Sequence, residues 1–98
     1  MEITVQGNHI TIDGNIKTPE NYLTIKNTVQ TIIDKGADSI VFSINNSLSM
    51  TSSVIGYLMK VVKVDKVHLS VYVGDERLME LMEELDLIDV FGVKRVKG

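Results

Sequence analysis

Cysteine and tryptophan are absent from these 98 residues, proline occurs once and histidine twice. Without cysteine there is no disulfide, no thiolate metal site and no cysteine nucleophile. His9 and His68 stand far apart, and neither has a second histidine at metal-ligand spacing. Each therefore reads as an ordinary strand residue and not as a ligand or general base. A phosphate-cradling glycine pattern is also missing, because Gly7, Gly14, Gly36 and Gly74 each punctuate elements. An excess of basic charge is lacking too: 10 Lys and Arg stand against 13 Asp and Glu, a net charge of −3. That balance leaves no electrostatic footprint for nucleic acid. The dense basic cluster Lys94, Arg95 and Lys97 reads as a solvated tail. No apolar run approaches the ~20 residues of a membrane-spanning helix. Met1-Glu2-Ile3-Thr4-Val5 has neither the basic start nor the apolar stretch of a secretory signal. The expectation is a cytoplasmic protein with no membrane association.

Side chains of 44% hydrophobic and 23% charged residues describe a folded chain, not a disordered one. A chain of this length buries roughly two-thirds of its unfolded surface. No repeat, linker or low-complexity segment divides it, so a single domain over residues 1–98 is expected.

Alternation of apolar and polar residues at Ile3–Val5 and Ile10–Ile12 predicts two half-buried strands, with Gly7-Asn8 as the hairpin turn. Gly14-Asn15 breaks the second. Thr18-Pro19-Glu20 has the form of a helix start, and Tyr22, Ile25, Val29, Ile32 and Ile33 follow at helical spacing up to Lys35-Gly36. The run Ser39-Ile40-Val41-Phe42-Ser43-Ile44 predicts a strand buried on both faces. A second helix is marked by Ile55, Leu58, Met59 and Val62, and Val67–Val73 is a strand. A third helix opens at Gly74-Asp75, with Leu78, Leu81, Met82 and Leu85 on its apolar face. Glu80, Glu83 and Glu84 fall off that face and read as solvated, not as an acid–base pair. Val93–Val96 closes the order as an edge strand. Alternating strands and helices after a hairpin call for an α/β fold: a mixed sheet of four to five strands, parallel neighbours, right-handed crossovers and three main helices.

One segment is unusual in composition. Asn45-Asn46-Ser47-Leu48-Ser49-Met50-Thr51-Ser52-Ser53 leaves the central strand and feeds the second helix. That places it at the C-terminal edge of the strands, where open α/β sheets engage ligands and partners. A hydroxyl there serves as an N-cap. Free amides and the positive end of the helix dipole also tolerate a phosphate on a serine in the same turn.

The strand Ser39–Ile44 followed by Leu48-Ser49-Met50-Thr51-Ser52-Ser53-Val54-Ile55-Gly56 resembles the signature of STAS domains, the anti-sigma factor antagonist family. There a strand ends in a phrase like Leu-Ser-Phe-Met-Asp-Ser-Ser-Gly-Leu-Gly and runs into a helix. Ile10-Thr11-Ile12-Asp13-Gly14-Asn15-Ile16 resembles the family's second strand with its glycine turn. Leu81–Phe91 is similar to its Leu-x-x-x-Gly-Leu-x-x-x-Phe ending. Thr51 replaces the family's Asp, Val54 its following Gly, and Lys17 an acid common after the second strand. The link from Lys60 to Val67 is shorter than usual, and the family's common final helix is not seen.

The resemblance implies a regulatory module without catalysis, metal or cofactor. Its partner would be an anti-sigma factor with serine kinase activity, which the unmodified antagonist binds and which switches that binding off by phosphorylation. Carried onto this chain, the phosphoacceptor is Ser52, with Ser53 and Thr51 as alternates. The docking surface is Asn15, Thr51, Ser52, Ser53 and Val54, with Val54 adding an apolar contact. Tyr57 fits either burial or a rim contact. The alternative is a divergent STAS subunit bound constitutively to a transporter ATPase or a larger sensory complex. A small enzyme or nucleotide-binding protein has no motif in support.

Overall fold

In chain order, the elements of the computed structural model are β1 (Glu2–Gln6), β2 (His9–Asp13), α1 (Pro19–Asp34), β3 (Ser39–Asn45), α2 (Ser52–Lys63), β4 (His68–Val73), α3 (Glu76–Glu84) and β5 (Val93–Arg95). Residues 1–96 are described. Gly7 takes φ 61 at the first turn position, the conformation a type II′ hairpin turn reserves for glycine. It joins β1 to β2 in antiparallel register, with Gln6 opposite His9 and Thr4 opposite Thr11. The remaining pairs, β2–β3, β3–β4 and β4–β5, are parallel. The result is the expected α/β architecture, one five-stranded mixed sheet in the order β1-β2-β3-β4-β5.

That order has a consequence for the layers. When parallel strands follow one another in sequence and every crossover is right-handed, all crossover helices fall on the same face. Burial follows this rule. Ile10, Ile12, Ile40, Phe42, Ile44, Leu69, Val71 and Val73 are buried and belong to one core with the helix residues Ile25, Val29, Leu58, Val61, Leu78 and Met82. The alternate residues Thr11, Val41, Ser43, Ser70 and Tyr72 are only half-buried, and His9 and His68 are exposed. β3 is therefore covered on one face, not two. Val41 made the run look continuous, but it shares the uncovered face with Ser39 and Ser43. β1 is less covered still: Ile3 is half-buried and Val5 is 44% exposed.

Local chemistry sets the helix ends. Thr18 Oγ1 accepts from Asn21 N–H at 3.0 Å, and Asn21 Oδ1 accepts from Thr18 N–H at 3.2 Å, a reciprocal cap. In α2 the buried stripe is Val54, Tyr57, Leu58 and Val61. The predicted set Ile55, Leu58, Met59 and Val62 was rotated by one residue, since Ile55, Met59 and Val62 only flank the core. In α3, Leu78 and Met82 are buried, whereas Leu85 is the C-cap and 47% exposed. Asp86 at φ 57 turns the chain there and delivers Leu87 to the core.

Gly92 then passes tightly beside β4. A Cβ at this position would stand 2.5 Å from the carbonyl oxygen of Leu69. β5 ends at Arg95, one residue short of the predicted strand. Lys94 Nζ lies 5.9 Å from the ring centroid of Tyr72, and Arg95 reaches Glu76 at 3.9 Å. Lys97, the third member of the basic cluster, lies outside the described residues.

Candidate functional site: the junction between β3 and α2

The loop from β3 to α2 is held by the loop that follows β2. Gly14 N–H donates to the Asn45 carbonyl at 3.0 Å. Asn46 takes φ 59, a conformation asparagine tolerates better than most residues, and its Nδ2 donates to Asp13 Oδ1 at 2.8 Å. Leu48 N–H donates to Asn15 Oδ1 at 3.0 Å. Ser47 is fully buried at 0% exposure. Its Oγ accepts from Ile16 N–H at 3.1 Å and donates to the Ser49 carbonyl at 2.8 Å. Met50 then enters the core at 7% exposure. Hydrogen bonds between segments some thirty residues apart thus fix where α2 begins.

Thr51 is the N-cap of α2, with extended backbone and Oγ1 accepting from Val54 N–H at 3.3 Å. Ile55 N–H donates to the Thr51 carbonyl at 3.0 Å. The Ser52 and Ser53 amides occupy the first two helical positions, which have no acceptor within a helix. Both serine side chains are exposed, while Thr51 is half-buried. No acid lies in the first turn of α2, and its last turn carries Lys60 and Lys63. The junction is a rigid shelf presenting two serine hydroxyls beside free amides at the positive end of a helix.

The sequence-derived site residues separate at this point. Asn15, Ser52 and Ser53 are exposed on the same edge, although the Asn15 carboxamide oxygen is committed to Leu48. Val54 does not belong to the surface: it is 1% exposed, because the cap at Thr51 sets the helix phase that turns it inward. The exposed apolar side chain on this loop is Leu48, at 41% exposure. Both Ser47 and Leu48 stand inside the segment Asn45–Ser53 that the sequence marks by composition, but nothing local separates Ser47 from the other serines or assigns Leu48 to the surface.

Tyr57 is buried, at 7% exposure. Its hydroxyl lies 3.5 Å from the Lys26 carbonyl and 3.4 Å from Gln30 Oε1, and its ring meets Tyr22 edge-on at 6.4 Å. Burial, and then the charge of Asp65, pushes its hydroxyl pKa above the usual value. The contact joins α1, along Tyr22, Lys26 and Gln30, to the middle of α2. Lys26 Nζ lies 6.0 Å from the Tyr22 ring centroid and Lys60 Nζ 5.9 Å from that of Tyr57, and Lys60 also pairs with Asp65 at 3.3 Å.

Farther along the edge, Asp75 caps α3 by accepting from Arg77 N–H at 2.8 Å, and the Arg77 guanidinium holds its carboxyl below the usual carboxylate range. Neither histidine is part of the junction. His9 Nε2 meets Ser43 Oγ at 2.8 Å on the uncovered sheet face, and His68 opens β4. Among the described residues, no three His, Asp or Glu converge as a metal site, and no helix is long and apolar enough to cross a membrane. The chain matches no protein-family model, and a search of curated proteins finds no match.

Proposed function

We propose that this chain is a cytoplasmic regulatory binding module of the anti-sigma factor antagonist type. It docks a protein partner with serine kinase activity through the β3–α2 junction and is released when Ser52 is phosphorylated. The observation that carries this is the pair of exposed serines, Ser52 and Ser53, on the first turn of α2. A phosphate there gains the two free amides and the helix dipole, so modification costs the fold little. It also adds about −1.5 to −2 charges to a surface that has no acid in that turn. Docking fails while folding does not.

Two further points support the assignment. Thr51 replaces the family's Asp without loss of its capping chemistry, since both residue types serve as N-caps. At the other end of the chain, Met82, Asp86, Leu87 and Phe91 fall at the spacing of the family's Leu-x-x-x-Gly-Leu-x-x-x-Phe ending. Asp86, at the glycine position, takes φ 57, and Met82, Leu87 and Phe91 are buried.

The test is incubation with the matching kinase and ATP, followed by mass spectrometry. Phosphate on Ser52 is expected, and its absence from Ser52, Ser53 and Thr51 overturns the switch. Binding of the same partner by two variants separates the switch from constitutive docking. Ser52→Asp weakens binding ~10-fold or more while Ser52→Ala stays within ~3-fold. Equal binding by both assigns the surface to a constitutive complex, such as a transporter ATPase or sensory assembly.

A further inference from the structure

The two edges of the sheet are built differently. Natural edge strands are kept short or carry lysine, proline or other charge, which blocks pairing with another chain. β5 follows that rule, with three residues of which Lys94 and Arg95 are exposed. β1 has less of this protection. It has five residues, Glu2-Ile3-Thr4-Val5-Gln6, with no lysine, arginine or proline, and its one charge, Glu2, stands at the strand's end.

The hydrogen-bond phase of the hairpin decides which backbone groups face outward. Val41 N–H donates to the Asn8 carbonyl and Gly14 N–H to the Asn45 carbonyl. The even-numbered residues along β2 therefore direct their groups to β3, and His9, Thr11 and Asp13 direct theirs to β1. Their partners Gln6, Thr4 and Glu2 are satisfied inside the sheet. Ile3 and Val5 are left with N–H and C=O groups pointing away from it.

We propose that β1 is a self-recognition edge, through which two copies of this chain pair β1 against β1, antiparallel about Thr4, into one continuous sheet. This register engages all five residues of both strands. Ile3 faces the partner copy's Val5 in both directions, each pair exchanging both N–H···O bonds. Thr4 meets Thr4 of the partner copy as a non-hydrogen-bonded pair, and Glu2 meets Gln6. Every cross-strand pair is then apolar with apolar, hydroxyl with hydroxyl, or carboxylate with amide, and no like charges oppose one another.

The helix side of the edge also lacks a cover. A cleft of about 770 Å³ lies between β1 and α1, lined by Val5, Thr28, Thr31, Ile32 and Ala37 among others. Ile3 of the second copy, set opposite Val5, extends its apolar floor. Registers centred on Ile3 or Val5 leave strand ends unpaired and place Thr4 opposite Glu2 or Gln6. Pairing of so short an edge falls below the ~1,600 Å² of a standard interface, so the association is weak and depends on concentration.

Sedimentation velocity from micromolar to millimolar protein reads the association directly. A monomer–dimer equilibrium is expected, and a monomer throughout overturns the proposal. Val5→Pro removes an outward N–H that β2 does not use, and Ile3→Lys puts a charge on the edge. Either raises the dimer dissociation constant ~10-fold or more, with the circular dichroism of the folded chain retained. Dimerisation undiminished in both folded variants overturns the proposal. Register is read by cysteine. The chain has none, and Thr4→Cys places two thiols on a pair with Cα atoms about 4.5 Å apart, within disulfide reach. Oxidation yields a covalent dimer of Thr4→Cys but not of Glu2→Cys, whose thiol faces Gln6. Cross-linking of both to the same extent overturns the register.

Discussion

A serine is a different object at positions 47, 52 and 53, though the three side chains are identical. Ser47 is the one buried polar side chain among the described residues, and it satisfies a buried amide of the neighbouring loop while donating to its own. Ser52 and Ser53 are exposed on a helix end. Removing the Ser47 hydroxyl leaves the Ile16 N–H and the Ser49 carbonyl without partners, so Ser47→Ala costs about 1–3 kcal/mol. Ser52→Ala and Ser53→Ala stay within about 0.5 kcal/mol. Urea denaturation checks this, and equal costs at positions 47 and 52 would show that the loops are not held by Ser47. The serine cluster itself was legible in the sequence, as was its place at a strand-to-helix junction. The division of labour within it was not, because the partner of Ser47 lies thirty-one residues away, beyond any local pattern.

At the scale of elements, caps and turns were legible because their chemistry is local: Thr18-Pro19, Lys35-Gly36 and Asp75 mark helix ends by residue type alone. Helix phase was less so. In α2 apolar residues occur on nearly adjacent faces, and a cap at Thr51 decides that Val54 and Tyr57 turn inward while Ile55 flanks. In α3 the stripe ran on to Leu85 in the sequence, but the chain leaves the helix there. Asp86 adopts the left-handed conformation at φ 57 so that Leu87 and Phe91 can reach the core. This conformation is unfavourable for a residue with a Cβ. Asp86→Gly relieves it at the cost of greater freedom in the unfolded chain, for a net stabilisation of about 0.5–1 kcal/mol. The urea midpoint rises with the slope unchanged; a lowered midpoint would mean that the Asp side chain itself holds the turn.

For the whole molecule, the order of the strands governs more than any single pattern along them. Order and handedness put the three helices on one side, so a strand that looks apolar throughout is still covered only once. The sequence signalled the element order, which fixes the topology, yet β3 read as buried on both faces because Val41 sits between Ile40 and Phe42. Substituting valine by threonine tests the layering, since the two side chains are similar in shape and differ in the hydroxyl. Val41 pairs with Ser70 on the uncovered face, while Val71 pairs with Phe42 on the helix face at 1% exposure. Val41→Thr places its hydroxyl where water reaches it and changes stability by no more than about 0.5 kcal/mol. Val71→Thr buries the same hydroxyl among Phe42 and its neighbours, at a cost of about 1–3 kcal/mol. The difference between the two variants in urea denaturation measures how one-sided the sheet is. If both cost alike, something covers the face that Val41 shares with His9, Ser43 and Tyr72. A loss confined to Val71→Thr leaves that face open to solvent and the core wholly beneath the helices.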